Sequence, residues 1–404
     1  MSTSLLYHAF GIRGYRYTRT DYFEGAVVFS IEQNRHTLQC PLCGSRQVIA
    51  HGHVPRLFRG VPIGSKGTHV LLPIPRVECR ACGVTRQVAV PFADPQKRYT
   101  HAFERYALDL SAHMTIQDVA RHLGVSWDTI KDIQKQDLQR HFSKPKLRKL
   151  RQIAIDEIAV GQGHRYLTVV LDLVSGAVVF VGEGKGADAL EPFWKRLRPS
   201  RAKIKAVATD MSLAYILAVR EHLPRAVHVF DHFHVLKLFH EKLSDFRREL
   251  YREATERLHK EILKGTRWLL LKNPENLDPQ RNERERLDEA LRINQPLATV
   301  YYMKEDLRQI WLQDDKATAA RVLQDWIGRA EASGIKLLQK FAGTLARYRS
   351  GILAYYDYPI STGPLEGTNN KIKTMQRQAY GFRDREFFKL KIYALHRTKY
   401  ALIG

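Results

Sequence analysis

Three acids carry the strongest chemical signal in this sequence. Asp156 lies inside the run IAIDEIAV, Asp210 closes KIKAVATD, and Glu366 follows the Ser-Thr-Gly-Pro lead-in of PISTGPLEGTNNKIKTMQRQAYGF. Displacement at phosphorus asks little covalent chemistry of a protein. It asks for two divalent ions about 4 Å apart, one activating the attacking oxygen and one stabilising the leaving oxygen. Mg²⁺ (or Mn²⁺) takes a few hard oxygen ligands and keeps its waters, so two or three carboxylates suffice to hold a pair. Asp156 is placed at the end of a first strand, Asp210 at the end of a fourth, and Glu366 on a helix returning to the sheet. Glu366, Asn370 and Lys373 recur at i, i+4 and i+7, which puts an acid, an amide and a cation on one helical face. With Arg377 one turn further, that face offers a metal ligand followed by contacts to a DNA backbone. Glu157, Asp172, Asp357 and Glu386 are nearby acids with weaker claims.

The cysteines point to a second metal. Cys40-Pro-Leu-Cys43-Gly and Cys79-Arg-Ala-Cys82-Gly each set two thiolates on one tight turn, with glycine where the backbone must be permissive. Two such knuckles satisfy one structural, tetrahedral zinc and leave no position for a reactive water. The long spacer between them implies inserted strands. Four unpaired cysteines, or His51 or His53 in place of one ligand, are the alternatives.

Residues 115–133, TIQDVARHLGVSWDTIKDI, have the spacing of a helix-turn-helix. Ile116, Val119, Ala120 and Leu123 form an apolar face, and Gly124 permits the left-handed turn. Ser126 caps the second helix, which Val125, Ile130 and Ile133 bury. Ser126, Trp127, Thr129, Lys131 and Gln134 are then expected to face a major groove. Asp128 and Asp132 on the same helix would accept from cytosine or set a docking angle. A helical hairpin without a ligand is the alternative.

Charge agrees with such a partner. Lys and Arg total 65 against 42 Asp and Glu, for a net charge of +23, and an excess of that size attracts polyanions. There is no long apolar run to span a membrane and no signal-peptide pattern at the N-terminus. A cytoplasmic, nucleoid-associated location is expected.

The elements that must position these residues fall into a multidomain α+β chain. Residues 1–98 read as a zinc-ribbon-like module of short strands and turns that touches DNA. Residues 99–142 read as the helix-turn-helix. The run SKPKLRKLR, at 143–151, reads as a solvated basic linker able to track a DNA backbone. From 152 to 234 the pattern is strand-strand-strand-helix-strand-helix-strand, with a hairpin turn at 173–176. In a ribonuclease-H-like sheet the first and fourth strands are neighbours, which would bring Asp156 and Asp210 into one cleft. Residues 235–355 read as an all-helical insertion, and 356–404 return to the core. GEGKG at 182–186 lacks the Lys-Ser/Thr of a phosphate loop and reads as a strand-to-helix turn. Trp268, Trp311 and Trp326 read as insertion core, with stacking on flipped bases as the alternative.

The double CxxC module, the helix-turn-helix, IAIDEIAVGQGHRYLTVVLD, ATDMS, VFDHFHV and STGPLEGTNNKIKTMQRQAYGFRD together resemble the DDE transposases of the ISL-three insertion-sequence family, over essentially the whole chain. The resemblance implies a ribonuclease-H-like core with a helical insertion between the second and third acids. It also implies that Asp231 and His234 form an auxiliary pair near the active site. The implied activity is metal-dependent cleavage at terminal inverted repeats and joining of the freed ends to target DNA, with at least a homodimer holding two ends of double-stranded DNA. A catalytically inactive DNA-binding regulator and a purely hydrolytic nuclease are the rival readings.

Overall fold

Alternation of apolar and polar residues from Tyr15 onward builds one sheet, not a set of separate short strands. The computed structural model describes residues 5–161, 163 and 165–397, so Gln162, His164 and the ends 1–4 and 398–404 of the expected modules lie outside the described residues. The chain divides into two compact units, 1–141 and 142–404.

In the first unit, helix α1 (Leu5–Phe10) precedes strands β1 (Tyr15–Phe23), β2 (Ala26–Gln33), β3 (Val48–Ile63), β4 (Lys66–Cys79) and β5 (Thr85–Gln87). They are ordered β1-β2-β4-β3, with β5 on β4. Val70, Leu72 and Ile74 on β4 bury on one face with Phe10, Ile31 and Phe58, as a period of two requires. The expectation of short strands is corrected: β3 and β4 run 16 and 14 residues. Their prolines are accommodated by position. Pro55 is on β3 at the edge of the strand order. Pro73 and Pro75 fall between the part of β4 that pairs with β2 and the part that pairs with β5, where no ladder hydrogen bond is required of them on that side.

Helices α2 (His101–Leu110), α3 (Ile116–Leu123) and α4 (Trp127–Phe142) complete the unit. Thr100 and Thr115 cap α2 and α3 through their side chains. Gly124 sits at φ 60°, ψ 44°, the left-handed turn that its lack of a Cβ allows. Arg59 of β3 donates to the Leu123 carbonyl at 2.7 Å, tying the sheet to that turn.

The second unit is built on β6 (Gln152–Gly161), β7 (Arg165–Asp172), β8 (Val178–Glu183), β9 (Ala206–Thr209) and β10 (Val227–Phe230), in the order β10-β9-β6-β7-β8. The hairpin strands are antiparallel, and β9 and β10 run parallel to β6. This is the ribonuclease-H-like order, with the first and fourth strands adjacent. Asp172 closes the β7–β8 turn by accepting from Ser175 N–H at 3.1 Å and Val174 N–H at 3.3 Å. Helices α5 (Ala187–Leu197) and α6 (Leu213–His222) pack on the sheet through Phe193, Trp194, Tyr215 and Val219. GEGKG is the strand-to-helix turn from β8 into α5, with Gly184 and Gly186 at φ 92° and 89°.

The insertion is helical throughout: α7 (His232–Glu253), α8 (Arg257–Gly265), α9 (Arg267–Leu271), α10 (Glu283–Ile293), α11 (Gln295–Arg308), α12 (Lys316–Ala332) and α13 (Lys336–Leu353). It has its own core around Phe239, Leu307, Trp326 and Phe341. Helices α14 (Gly363–Gln378) and α15 (Arg385–Tyr393) return to the sheet.

Two expectations are corrected in this unit. Asp156 is not at the end of β6, because the strand stays paired with β7 beyond it, to Gly161, with one irregularity after Ala159. The basic run at 143–151 is not a solvated linker. Leu147 and Leu150 are 5% and 1% exposed in the same core as Trp194 and Ile153, and Arg196 donates to the Pro145 carbonyl at 2.8 Å. Its apolar residues outweigh the tendency of its charges to seek water.

Candidate active site and metal centre

Both cysteine knuckles have the same construction. The Cys40 N–H donates to the Ser45 carbonyl and the Gly44 N–H returns to Cys40; Cys79, Val84 and Gly83 repeat the pattern. Gly44 and Gly83 sit at φ 71° and 69°. The hairpin of β3 and β4 is the strand insertion between them. Cys40 Sγ lies 3.7 Å from Cys82 Sγ, and Cys43 Sγ lies 3.6 Å from Cys79 Sγ. All four sulfur atoms are within 4.8 Å of one another. Zn–S bonds of about 2.3 Å subtend S···S edges of about 3.8 Å in a tetrahedron, so the set fits zinc. The N–H groups of Cys43 and Leu42 hold the Cys40 thiol down, to about 6, while burial and the neighbouring thiols push Cys82 up. His51 is paired with Glu78 at 2.6 Å, and the cluster is complete without it or His53.

On α4, Ser126 accepts from the Thr129 N–H at 3.2 Å, as a cap should. Ser126, Trp127, Asp128 and Asp132 are exposed and Thr129 and Lys131 half-buried. The Lys131 ammonium lies 5.5 Å over the Trp127 ring. Gln134 is a correction: it is 5% exposed. It lies one turn from Ile130 and one from Leu138, both buried, so it belongs to the inner stripe and is turned away from any groove.

Asp156 and Asp210 come together across β6 and β9. Burial pushes the Asp156 carboxyl up to about 6, and the charges of Asp210 and Glu157 push the same way, against His234 and the Glu157 N–H. Asp210 also accepts from the Ser212 N–H at 3.0 Å. Glu157, the next residue along β6, points to the other face, where Tyr215 donates to it.

Helix α14 lies along β6. Its buried residues are Leu365, Thr368, Asn369 and Ile372. Asn369 Nδ2 donates to Asp156 Oδ2 at 2.9 Å, and Gln376 reaches the Val160 carbonyl. Asn369 was missed by sequence reasoning, which chose Asn370. The signal was available, since Asn369 is a polar residue on an apolar i, i+4, i+7 line. Glu366, Asn370, Lys373 and Arg377 are exposed on the helix. Among the described residues only the cysteines form a gathered set of three or more metal-ligand atoms, so the three acids do not form a closed cage.

Asp231 is 1% exposed. It caps α7 through the Phe233 N–H and accepts from Thr362 Oγ1, one residue before α14. It therefore anchors the helix that carries Glu366. His234 is half-buried, and its charge acts on Asp156. Among the weaker candidates, Asp172 is used by its turn and Asp357 pairs with Lys316. Glu386 is on α15, within the second unit. Trp326 is core, its indole N–H donating to the Met303 carbonyl at 2.8 Å. Trp311 is half-buried, and Trp268 is 65% exposed under Arg267.

Residues 153–392 match a DDE family described as "Transposase". Residues 88–137 match the "Helix-turn-helix domain of transposase family ISL3". Residues 36–82 match the "zinc-finger of transposase IS204/IS1001/IS1096/IS1165". The chain is 35% identical to the transposase for insertion sequence element IS1001 of Bordetella parapertussis, covering 95% of this chain and 96% of that one. It is 29% identical to the transposase for IS1557 of Mycobacterium tuberculosis, covering 92% and 89%. A Drosophila P element transposase strand transfer complex aligns with 74% of this chain and 92% of its own, at 12% identity and a TM-score of 0.38, too loosely to bear on the chemistry.

Proposed function

This chain belongs to the ISL3 family of DDE transposases, and from that premise we propose that Asp156, Asp210 and Glu366 are its catalytic acids and take Mg²⁺ as the working ion. The observation that carries the assignment is the adjacency of β6, which holds Asp156, and β9, which Asp210 directly follows, with α14 laid along β6. The donors are hard oxygens, and the buried negative charge at Asp156 favours a cation. Divalent ions bound there supply activation of the attacking oxygen and stabilisation of the leaving one.

The chain's own residues do the positioning. Asn369 fixes the Asp156 carboxylate, and His234 offsets part of its charge. Asp231 and Thr362 hold the start of α14, so that Glu366 meets the cleft from the flank. Asn370, Lys373 and Arg377, exposed along α14, would take the DNA backbone leading away. One such cleft serves both hydrolysis at an element end and attack by the freed 3′-hydroxyl on target DNA, since both are in-line displacements. The zinc ribbon and the exposed residues of α4 would recognise the terminal inverted repeats, and a dimer or larger assembly would hold two ends. No helix among the described residues is long and apolar enough to cross a membrane, and work on the bacterial nucleoid is the location we assign.

The test is an end-cleavage and strand-transfer assay with Mg²⁺ on duplexes bearing the inverted repeats that flank the gene. Cleavage and joined products, both lost in Asp156→Asn, support the reading. Binding without nicking favours a regulator, and nicking without joining of pre-cut ends favours a nuclease.

A further inference from the structure

The positive charge of the second unit is concentrated at the end of the sheet away from the acids. Residues 142–155 contain five cations and no acid, and residues 192–209 contain six and no acid. The fold joins these two segments. The Lys205 N–H donates to the Arg151 carbonyl at 2.7 Å, Arg196 holds Pro145, and Leu147, Leu150, Leu197 and Ile204 share one apolar cluster. Burial alternates along the first segment. Pro145, Leu147 and Leu150 face inward while Lys144, Lys146, Arg148 and Lys149 face water. Lys195, Arg198, Arg201, Lys203 and Lys205 are exposed on the second. The cations are therefore presented by a fixed backbone and not by a loose tail.

None of these nine exposed side chains has a carboxylate within ion-pair distance among the described residues. Glu191 and Glu221 sit beside His222 at the border, and Asp172 is buried in its own turn. Elsewhere in the unit some cations are paired, as in Arg329 with Asp306 and Lys272 with Glu283. Arg201 adds an independent sign. Its backbone is in the left-handed region, φ 58°, which glycine takes freely and L side chains rarely hold. A cation is kept there at a conformational cost.

We propose that this rim is a second, sequence-independent site for the phosphate backbone of duplex DNA, holding a stretch other than the one being cut. Arg151 and Lys205 precede Asp156 and Asp210 by five residues each, about 16 Å along a strand. The rim is therefore at the N-terminal ends of β6 and β9, set back from the cleft. Rigidly spaced cations without carboxylate partners, and with no exposed aromatic side chain among them in the described residues, match a duplex backbone, where charge contact and counterion release supply the affinity. Stacking sites for single strands depend on aromatic side chains.

This inference rests on the transposase reading, and one binding experiment separates the two. Full-length protein is titrated with a long duplex carrying an element end, across a range of salt concentrations. The variant combines Lys146→Ser, Arg148→Ser, Arg201→Gly and Lys203→Ser. Its plot of log affinity against log salt should be shallower by about 2–4, at roughly 0.9 per lost phosphate contact. The charge-conserving set Lys146→Arg, Arg148→Lys and Lys203→Arg should keep the wild-type slope. Arg201→Gly alone should melt higher yet bind DNA more weakly, a pairing that a purely structural role does not produce. If the combined variant melts early, Arg201→Gly and the charge-conserving set decide the matter. A wild type that binds no duplex overturns the transposase reading. A wild type that binds, with variants of unchanged slope, overturns the rim alone.

Discussion

The four cysteines and the three acids were both marked by spacing, yet the fold gathers the first set far more tightly than the second. The sulfur atoms lie within 4.8 Å of one another, whereas Asp156 is half-buried on β6, Asp210 follows β9 and Glu366 is exposed on α14. Each knuckle is closed by its own backbone hydrogen bonds and glycine turn, and sulfur atoms joined by hydrogen bonds do not repel. Carboxylates do: two charges 4 Å apart at an effective dielectric constant of 20 oppose each other by about 4 kcal/mol. Burial adds to this at Asp156, whose carboxyl is already pushed up to about 6. How closely each set is gathered thus follows the charge its members carry, and not their importance.

The largest effect should come from opening the cysteine site. Cys79→Ser should abolish bound zinc, about one per chain in the wild type, and with it end-specific binding. Structural zinc contributes on the order of 10 kcal/mol in small zinc modules. Elemental analysis that finds no zinc in wild-type protein purified without chelator would sink the comparison at its first term.

The acids should behave in the opposite way. Asp156→Asn, Asp210→Asn and Glu366→Gln should each lose cleavage and joining together, by ~10³-fold or more, while still binding element ends and melting no lower than wild type. A double variant should be scarcely worse than a single one, because the residues act as a unit. Glu366 is the exposed point of this set. A Glu366→Gln enzyme that cuts and joins at near wild-type rates would move the third role to Asp357 or Glu386.

Asn369→Ala should cost about 10–100-fold in activity or metal affinity, the range for losing a partner that orients a metal ligand. Activity within twofold of wild type would show that Asp156 needs no positioning. On α4, Lys131→Ala should reduce the salt slope of end binding by about 0.9. Gln134→Leu should leave binding unchanged and raise stability by about 1 kcal/mol, since Gln134 Oε1 is buried without a hydrogen-bond partner among the described residues. Weakened binding in Gln134→Leu would return that residue to the reading face.

Local signals in the sequence were enough to determine the knuckles, the helix-turn-helix from Thr115 through Gly124, the strand-and-helix series of the core, and the helical insertion. Each depends on residues within a few positions of one another: CxxCG spacing, a cap, a glycine, an apolar period. Tertiary structure decided what depended on distant partners. Gln134 looked available until Ile130 and Leu138 placed it on the buried stripe. Asn370 looked the better amide until α14 turned Asn369 onto Asp156. Lys and Arg made 143–151 read as solvated, but Leu147 and Leu150 had a core to enter, one assembled from β6, β8, α5 and α6. Arg59 gave no sign that it would hold Leu123, sixty-four residues away. Periodicity tells which face of an element is apolar. Which neighbour covers that face, and which polar residue at its margin is drawn in with it, is settled only when elements far apart in the chain pack together.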